Sequence, residues 1–274
     1  MAIVVISRQV GSFGDEIAAK VAKRLNLKIV DQGGVHQMAQ QCDSEFEKAC
    51  TLYETELEPG FFERFFFSNA GYTSLFESLN LELASKGNVV IIGRGAQIVL
   101  KEIPGIFKTR VVAPKEVRIK RVAKQKGVSA GEAADFVERY DTQRRALIRT
   151  IYERDLKDWG LYDLILNTTN YDIETGAEIL CRAIELMPKT EDEAAITKQL
   201  ARLAFAKRVE SKIMKKVTTS PYRSIEVVAQ EGGAIAIEGF VSDKRTKEII
   251  GEIASKVEGV TRVDNLLRTT GLSF

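Results

Sequence analysis

The sequence predicts an α/β fold with a parallel sheet, followed by a second, small α+β domain. Three observations lead there. Short apolar, β-branched runs alternate with amphipathic helical segments along most of the chain. A polar, acidic stretch follows Met187-Pro188. Beyond it, Gly232-Gly233 separates two runs of alternating hydrophobicity, which is a hairpin signal. A length of 274 residues fits between one and two domains.

Taken in order, Ile3 to Ile6 reads as a buried strand, Ser7 to Gly14 as a glycine-bearing turn, and a helix begins near Asp15. In that helix Ile17, Ala18, Val21, Ala22 and Leu25 recur on one face, with Lys20, Lys23 and Arg24 on the other. Further buried strands are expected at Lys28 to Val30, Val89 to Ile92, Arg110 to Ala113 and Leu164 to Leu166. Between His36 and Lys86 the pattern is helical and irregular. Phe61, Phe62, Phe65, Phe66 and Phe67 there read as core, with closure over a bound base as the alternative. Lys189 to Glu193 is the linker candidate, leading into a helical run through Arg202. The expected boundaries are therefore 1–188, a linker and helix at 189–205, and 206–274. The last segment reads as helix (Ala206 to Lys216), strand (Ile225 to Val228), turn, strand (Ala234 to Val241), helix (Lys244 to Val257) and strand (Thr261 to Leu267).

Composition narrows the function classes. Hydrophobic residues at 45% and charged residues at 28% are ordinary globular values, which excludes wholesale disorder. No apolar run is long enough to span a bilayer, and Met1 to Ile6 lacks a charged leader, so a cytoplasmic protein without a transmembrane segment is expected. Cys42, Cys50 and Cys181 show no metal-like spacing and His36 is the only histidine, which argues against a zinc cluster or a Ser/His triad. Catalysis would rest on carboxylates, arginines, lysines, backbone amides or a ligand-borne metal. The net charge of +2 argues against a nucleic-acid binder. Yet Lys101 to Thr150 holds 13 basic and 6 acidic residues, so either an anion faces that segment or its helices present solvated charged faces.

Four segments could carry chemistry. The loop Ser7-Arg8-Gln9-Val10-Gly11-Ser12-Phe13-Gly14-Asp15-Glu16 lies between a strand and a helix start, where backbone N–H groups can surround a phosphate. The usual phosphate loop ends in Gly-Lys-Ser/Thr, whereas Gly14-Asp15-Glu16 brings two carboxylates, so a helix-capping turn is the competing reading. Asp31-Gln32-Gly33-Gly34-Val35-His36 follows the second strand, where open α/β sheets bind ligands; the alternative is a tight turn. In Gly93-Arg94-Gly95 an arginine between glycines at a strand end can give a phosphate two N–H donors. Finally, Arg118 and Arg121 on one helix and Asp141, Arg144, Arg145 and Arg149 on the next are read either as surface ion pairs, with Asp141 bound to Arg144 or Arg145, or as a phosphoryl-transfer lid.

The order of these segments, with Val90-Ile91-Ile92 before Gly93, Ala113-Pro114-Lys115-Glu116-Val117-Arg118, Lys157-Asp158-Trp159 and Tyr162 to Thr168, resembles the cytidylate kinase-like family over Ala2 to about Met187. The resemblance implies a P-loop NTPase-type three-layer parallel sheet. It implies ATP with nucleotide-borne Mg2+, no protein-held metal, and phosphoryl transfer to a nucleoside monophosphate or similar small acceptor. Carried over, Gly11, Ser12 and Gly14 would cradle the donor phosphates. Asp31, Gly33 and Arg94 would line the acceptor side, and Arg118, Arg121 and Arg144 would meet the transferring phosphoryl as catalytic groups. Gly14 stands where cytidylate kinase has its phosphate-binding lysine, and Arg8 is the candidate for the missing charge. The aspartate that follows the arginine in cytidylate kinase is absent at Gly95, and Gln37 replaces an arginine.

The C-terminal segment, ending in Val257-Glu258-Gly259-Val260-Thr261-Arg262-Val263-Asp264-Asn265, resembles a BON domain. This implies a small binding module without catalytic residues, used for regulation or attachment. Its 12 basic against 9 acidic residues from Ala206 to Phe274 are too few for electrostatic anchoring to lipid. The leading expectation is a nucleotide kinase with an appended BON module, a small-molecule nucleotide as substrate, no nucleic-acid partner, and the BON partner and any homo-oligomer left open. The rival is a nucleotide or phosphate sensor with weakened transfer that signals through the BON module. A third reading is an interaction scaffold.

Overall fold

The computed structural model describes residues 1–30, 70–188, 192–217 and 225–270. Along the chain come β1 (Ile3–Arg8), α1 (Gly14–Arg24), β2 (Lys28–Val30), α2 (Ala70–Ser85), β3 (Val89–Ile92), α3 (Ala96–Val99), β4 (Ile106–Val112), α4 (Lys115–Lys126) and α5 (Ala130–Tyr152). A 3-10 turn at Trp159–Leu161 leads to β5 (Leu164–Asn167), α6 (Ile173–Glu185) and α7 (Glu193–Lys216). The C-terminal elements are β6 (Ile225–Ala229), β7 (Ala234–Val241), α8 (Lys244–Ser255), β8 (Arg262–Asn265) and β9 (Arg268–Thr269). The described residues form two compact units, one of 1–30, 86–188 and 192–196, the other of 70–85, 197–217 and 225–270.

The first unit is the expected parallel sheet, with five strands in the order β2-β3-β1-β4-β5. β1 is central because both of its faces are apolar. Val4 and Ile6 join the core formed with Ile17 and Val21 of α1 and Leu180 of α6, while Ile3 and Val5 point to the opposite face and are equally buried. Burial of that kind needs cover on both sides, which is the three-layer arrangement. Asp172 accepts a hydrogen bond from the Thr175 amide and so starts α6. Ser129 and Glu132 form a reciprocal capping box at the start of α5. Gly127 ends α4 in the left-handed region, so only a short turn separates α4 from α5, and Val122, Ala133 and Val137 close the core of this helical hairpin.

Two elements differ from the sequence expectation. β4 begins at Ile106 rather than Arg110, because Lys108 and Thr109 are buried within it. The Lys108 ammonium donates to the Ile106 carbonyl and lies 3.5 Å from Asp163, and the Thr109 hydroxyl donates to the Leu164 carbonyl. Polar side chains so satisfied do not interrupt a central strand. In place of separate helices on either side of residues 203–205, α7 runs unbroken for 24 residues. Asp192 caps its start through the Ala195 amide.

The second unit holds the predicted hairpin. β6 pairs antiparallel with β7, Val227 opposite Ile237, and its residues alternate buried and exposed. β8 and β9 then pair parallel to β7, and Ile250 and Ala254 of α8 pack with Ile235, Ile237 and Leu267 in one core. The final strand expected at Thr261 to Leu267 is split into β8 and β9 around buried Leu267. α2 and α7 meet through polar contacts: Ser74 donates to Glu210, Ser78 donates to the Ala204 carbonyl, and Lys207 lies between Glu77 and Glu210. Burial disfavours the Lys207 ammonium, yet the two carboxylates outweigh it and raise its pKa. Among the described residues, no helix is long and apolar enough to cross a membrane.

Candidate functional site

Parallel strands deliver the ends of β1, β3, β4 and β5 to one edge of the sheet, the edge at which open α/β sheets hold ligands. β1 ends in Ser7 and Arg8. β3 runs into Gly93-Arg94-Gly95, and α5 contributes Arg144. These three arginines line one cleft with Ser7, Gln97 and Leu156, among others. Counting its open mouth, the cleft encloses about 350 Å³. The described lining includes three arginines and no acidic residue, and one of them, Arg8, is paired with Asp15. Such a lining attracts a polyanion, and guanidinium forks match phosphate oxygens.

The Arg94 turn is strained. Gly93, Arg94 and Gly95 have φ of 73°, 63° and 69°, three left-handed residues in succession. Glycine adopts this region freely, whereas an arginine there costs about 1–2 kcal/mol. Two contacts hold the turn. The Gly93 amide donates to the Ile6 carbonyl, and the Tyr152 hydroxyl donates to the Arg94 carbonyl. Tyr152 lies so close to Gly95 that a Cβ there would meet its ring at 2.2 Å. The result is an arginine only 7% exposed, at the wall of the cleft.

The loop after β1 is compact. Ser12 is fully buried; its hydroxyl donates to the Gln9 and Val111 carbonyls and its amide to Gln9. That hydroxyl faces the sheet. Gly11, at φ 75°, lies against α4, where a Cβ would meet the Arg118 carbonyl at 2.9 Å. Gly14 makes room for Arg8, whose Cβ lies 2.3 Å from where a Gly14 Cβ would sit. The Arg8 guanidinium then reaches Asp15 at 2.8 Å, and Arg144 donates to the Arg8 carbonyl. α1 has no side-chain cap. Its first intrahelical donor is Ile17, so the amides of Gly14, Asp15 and Glu16 have no hydrogen-bond partner among the described residues.

The arginines of α4 sit differently. Arg118 is 3% exposed and its guanidinium binds the Ala113 carbonyl at 3.0 Å, the Val10 carbonyl at 3.2 Å and both carboxylate oxygens of Asp141. Asp141 therefore pairs across the hairpin, not with Arg144 or Arg145 on its own helix as the local spacing suggested. Arg121 donates to the Thr168 hydroxyl and carbonyl at 2.9 and 2.6 Å, and its guanidinium lies 3.8 Å from the centre of the Phe13 ring. Burial lowers the Arg121 pKa, and nearby Glu16 opposes that shift.

The structure thus brings Arg8, Arg94 and Arg144 together, and sets Arg118 and Arg121 behind the loop that carries Gly11, Ser12 and Gly14. Asp31 and Gly33 lie outside the described residues, as do His36, Cys42, Cys50 and the phenylalanines at 61–67. Two residues of this edge were missed in the sequence. Arg110 donates to the Ser7 hydroxyl at 3.0 Å and the Tyr162 hydroxyl at 3.1 Å, which braces the end of β1, and Gln97 lines the cleft from α3. Arg110 carries a signal, a cation inside a buried strand. Gln97 carries none beyond its place three residues after Arg94.

Comparison with known proteins gives the family. Residues 3–170 match the cytidylate kinase-like family and residues 206–271 match the BON domain. The chain belongs to the cytidylate kinase-like family and carries a BON domain. It is 30% identical over 191 residues to the cytidylate kinase of Pyrococcus horikoshii, covering 69% of this chain and 92% of that protein. It is 27% identical over 188 residues to the cytidylate kinase of Pyrobaculum calidifontis, covering 67% and 95%. A crystal structure of an uncharacterized protein from Eubacterium ventriosum superposes with a TM-score of 0.53 at 20% identity, covering 68% of this chain and all of that one, and so shares the fold.

Proposed function

We propose that this protein transfers the terminal phosphoryl group of ATP to a nucleoside monophosphate or a similar small phosphate acceptor. The observation that carries the reading is the convergence of Arg8, Arg94 and Arg144 on one cleft at the carboxyl edge of the sheet. In it, 1–188 carries the reaction, 189–205 connects, and 206–274 serves regulation or attachment, in the cytoplasm. Phosphoryl transfer asks mainly for positioning and for charge neutralisation, so no general base is needed.

In this reading Arg94 grips the acceptor phosphate, together with Asp31 and Gly33. Arg144 lies between acceptor and donor and neutralises charge that develops on the transferred group. The open amides of Gly14, Asp15 and Glu16 receive the donor phosphates at the start of α1, with Gly11 and Gly14 shaping the loop. Arg8 offsets the Asp15 carboxylate and Arg121 lies near Glu16, which reduces their repulsion of a polyanion. The Ser12 hydroxyl is engaged with carbonyls, so magnesium arrives on the nucleotide and is not held by Ser12. Bound magnesium-ATP supplies the transferable phosphoryl group and shields its oxygens. Arg118 and Arg121 act as positioning residues, fixing the loop to the hairpin.

One observation favours a second reading, a sensor that binds nucleotide without efficient transfer. Two carboxylates open α1 and no ammonium group stands in the loop. A screen with ATP and magnesium over CMP, dCMP, UMP, AMP and unrelated acceptors, run beside ligand-induced thermal shifts, separates the two. Turnover that is lost in Arg94→Ala and Arg144→Ala supports the kinase. Stabilisation by nucleotide with no turnover on any acceptor supports the sensor.

A further inference from the structure

Gln97 presents a specific anomaly in this cleft. It is 1% exposed, it lines the cleft with Arg8, Arg94 and Arg144, and its Oε1 has no hydrogen-bond partner among the described residues. Buried polar atoms are almost always paired, and one left unpaired destabilises the protein that carries it. Its setting is otherwise rigid. Gln97 follows the Gly93-Arg94-Gly95 turn by two residues, on a single helical turn whose Ile98, Val99 and Leu100 amides are all bonded to Gly95 and Ala96 carbonyls. The backbone holding Gln97 is therefore fixed by the hydrogen bonds of this turn.

We infer that Gln97 is a specificity-determining residue, whose Oε1 accepts a hydrogen bond from an N–H on the acceptor substrate while the arginines of the cleft hold that substrate's phosphate. The inference rests on the proposed acceptor site. It names the substrate class more closely, as a phosphate monoester whose far end carries an N–H donor, which a nucleobase edge provides. A lone carboxamide acceptor satisfied only by ligand makes a strong discriminator, because a ligand lacking the donor leaves the oxygen buried and unpaired in the complex. The arginines alone do not discriminate in this way, since every phosphate monoester satisfies them.

The test compares wild type with Gln97→Leu and Gln97→Glu for binding of four probes: CMP, UMP, ribose 5-phosphate, and zebularine 5′-monophosphate. The last carries a pyrimidin-2-one without an N–H on its pairing edge. In wild type, CMP or UMP binds about tenfold more tightly than zebularine monophosphate, the value of one hydrogen bond to a buried acceptor. In Gln97→Leu that preference disappears and ribose 5-phosphate binding is unchanged. Gln97→Glu, which keeps an acceptor oxygen, retains at least part of the preference. Ligand-free Gln97→Leu melts at the same temperature as wild type or higher, because a buried unpaired oxygen has been removed. A structural role would instead lower the melting temperature. An unchanged preference in Gln97→Leu, an equal loss on all four probes, or no binding of any monophosphate overturns the inference. Binding that follows this pattern without phosphoryl transfer to any acceptor leaves it standing and defeats the kinase reading alone.

Discussion

Arg118 of α4 and Asp141 of α5 face each other across the helical hairpin, with Nη2 2.8 Å and Nη1 3.3 Å from the two carboxylate oxygens. The same guanidinium also holds the Val10 and Ala113 carbonyls, so one buried side chain ties the phosphate-loop candidate, the end of β4 and both hairpin helices together.

Removing Arg118 leaves a mostly buried carboxylate and two carbonyls without their donor. Arg118→Gln should destabilise the protein by about 3 kcal/mol, the low end for a broken buried pair, because the Asp141 side chain is still 18% exposed. Asp141→Asn should cost less, since the amide oxygen still accepts. Arg118→Leu combined with Asp141→Leu should recover more than half of the loss of Arg118→Leu alone. Calorimetry on the single and double variants measures the coupling, and additive losses would show the two residues to be independent.

The contact between Arg8 and Gly14 makes these positions interdependent. A Cβ at Gly14 would lie 2.3 Å from the Arg8 Cβ and 2.7 Å from its Cγ, and the Cβ is fixed by the main chain and cannot swing away. Gly14→Lys, which places an ammonium group in the loop, should therefore cost about 2 kcal/mol rather than improve ATP binding. Arg8→Gly with Gly14→Lys, which removes the Arg8 Cβ as well, opens the room. The double variant should be more stable than Gly14→Lys alone and should bind ATP more tightly, as read by melting temperature and by titration. If Gly14→Lys alone melts like wild type, the steric argument fails.

The parallel sheet and the C-terminal hairpin were legible because their signals are local: buried β-branched runs such as Val89 to Ile92, and Gly232-Gly233 between alternating strands. β4 was read short because Lys108 and Thr109 look like a break until their partners Asp163 and Leu164, some 55 residues away, are known. The site was legible in part for the same reason. Arg94 and Arg144 stand out in sequence, and the fold brings them to one cleft. The pairing of Asp141 was not legible, since spacing on one helix favours Arg144 or Arg145 and only the hairpin brings Arg118 within reach. Gln97 looks like any helical residue until the burial of its amide is seen.

The left-handed turn at Arg94 allows stability and binding to be separated. Arg94→Gly and Arg94→Ala both remove the guanidinium and should weaken acceptor binding about a hundredfold, the scale of a charge-assisted pair of hydrogen bonds. Glycine relieves the strain at φ 63° and alanine does not, so Arg94→Gly should be more stable than Arg94→Ala by about 1 kcal/mol. Gly95→Ala should cost about 3 kcal/mol, from its own φ of 69° and from collision with Tyr152. Melting curves beside acceptor titrations test all three, and equal stability of the two Arg94 variants would contradict the strain assigned to this turn.

In the C-terminal unit, Asp243 caps α8 and gives that unit a defined acid sensitivity. The Ser242 hydroxyl and the Thr246 amide and hydroxyl donate to its carboxylate, which lowers its pKa from 3.8 to about 2. The folded state thus binds this proton less readily than the unfolded state. The contribution of Asp243 is complete above the unfolded value of 3.8 and fades as the pH falls through about 2. Lys244 and Arg245 sit at the same helix start, where the dipole disfavours cations, so the helix depends on this carboxylate more than on its other first-turn charges. Asp243→Asn keeps a capping oxygen but cannot titrate there. Its melting temperature should therefore vary less than that of wild type between about pH 4 and pH 2. Ser242→Ala removes the largest cause of the shift and should move the fading to higher pH. Parallel acid dependence in wild type and Asp243→Asn would assign the loss to other carboxylates.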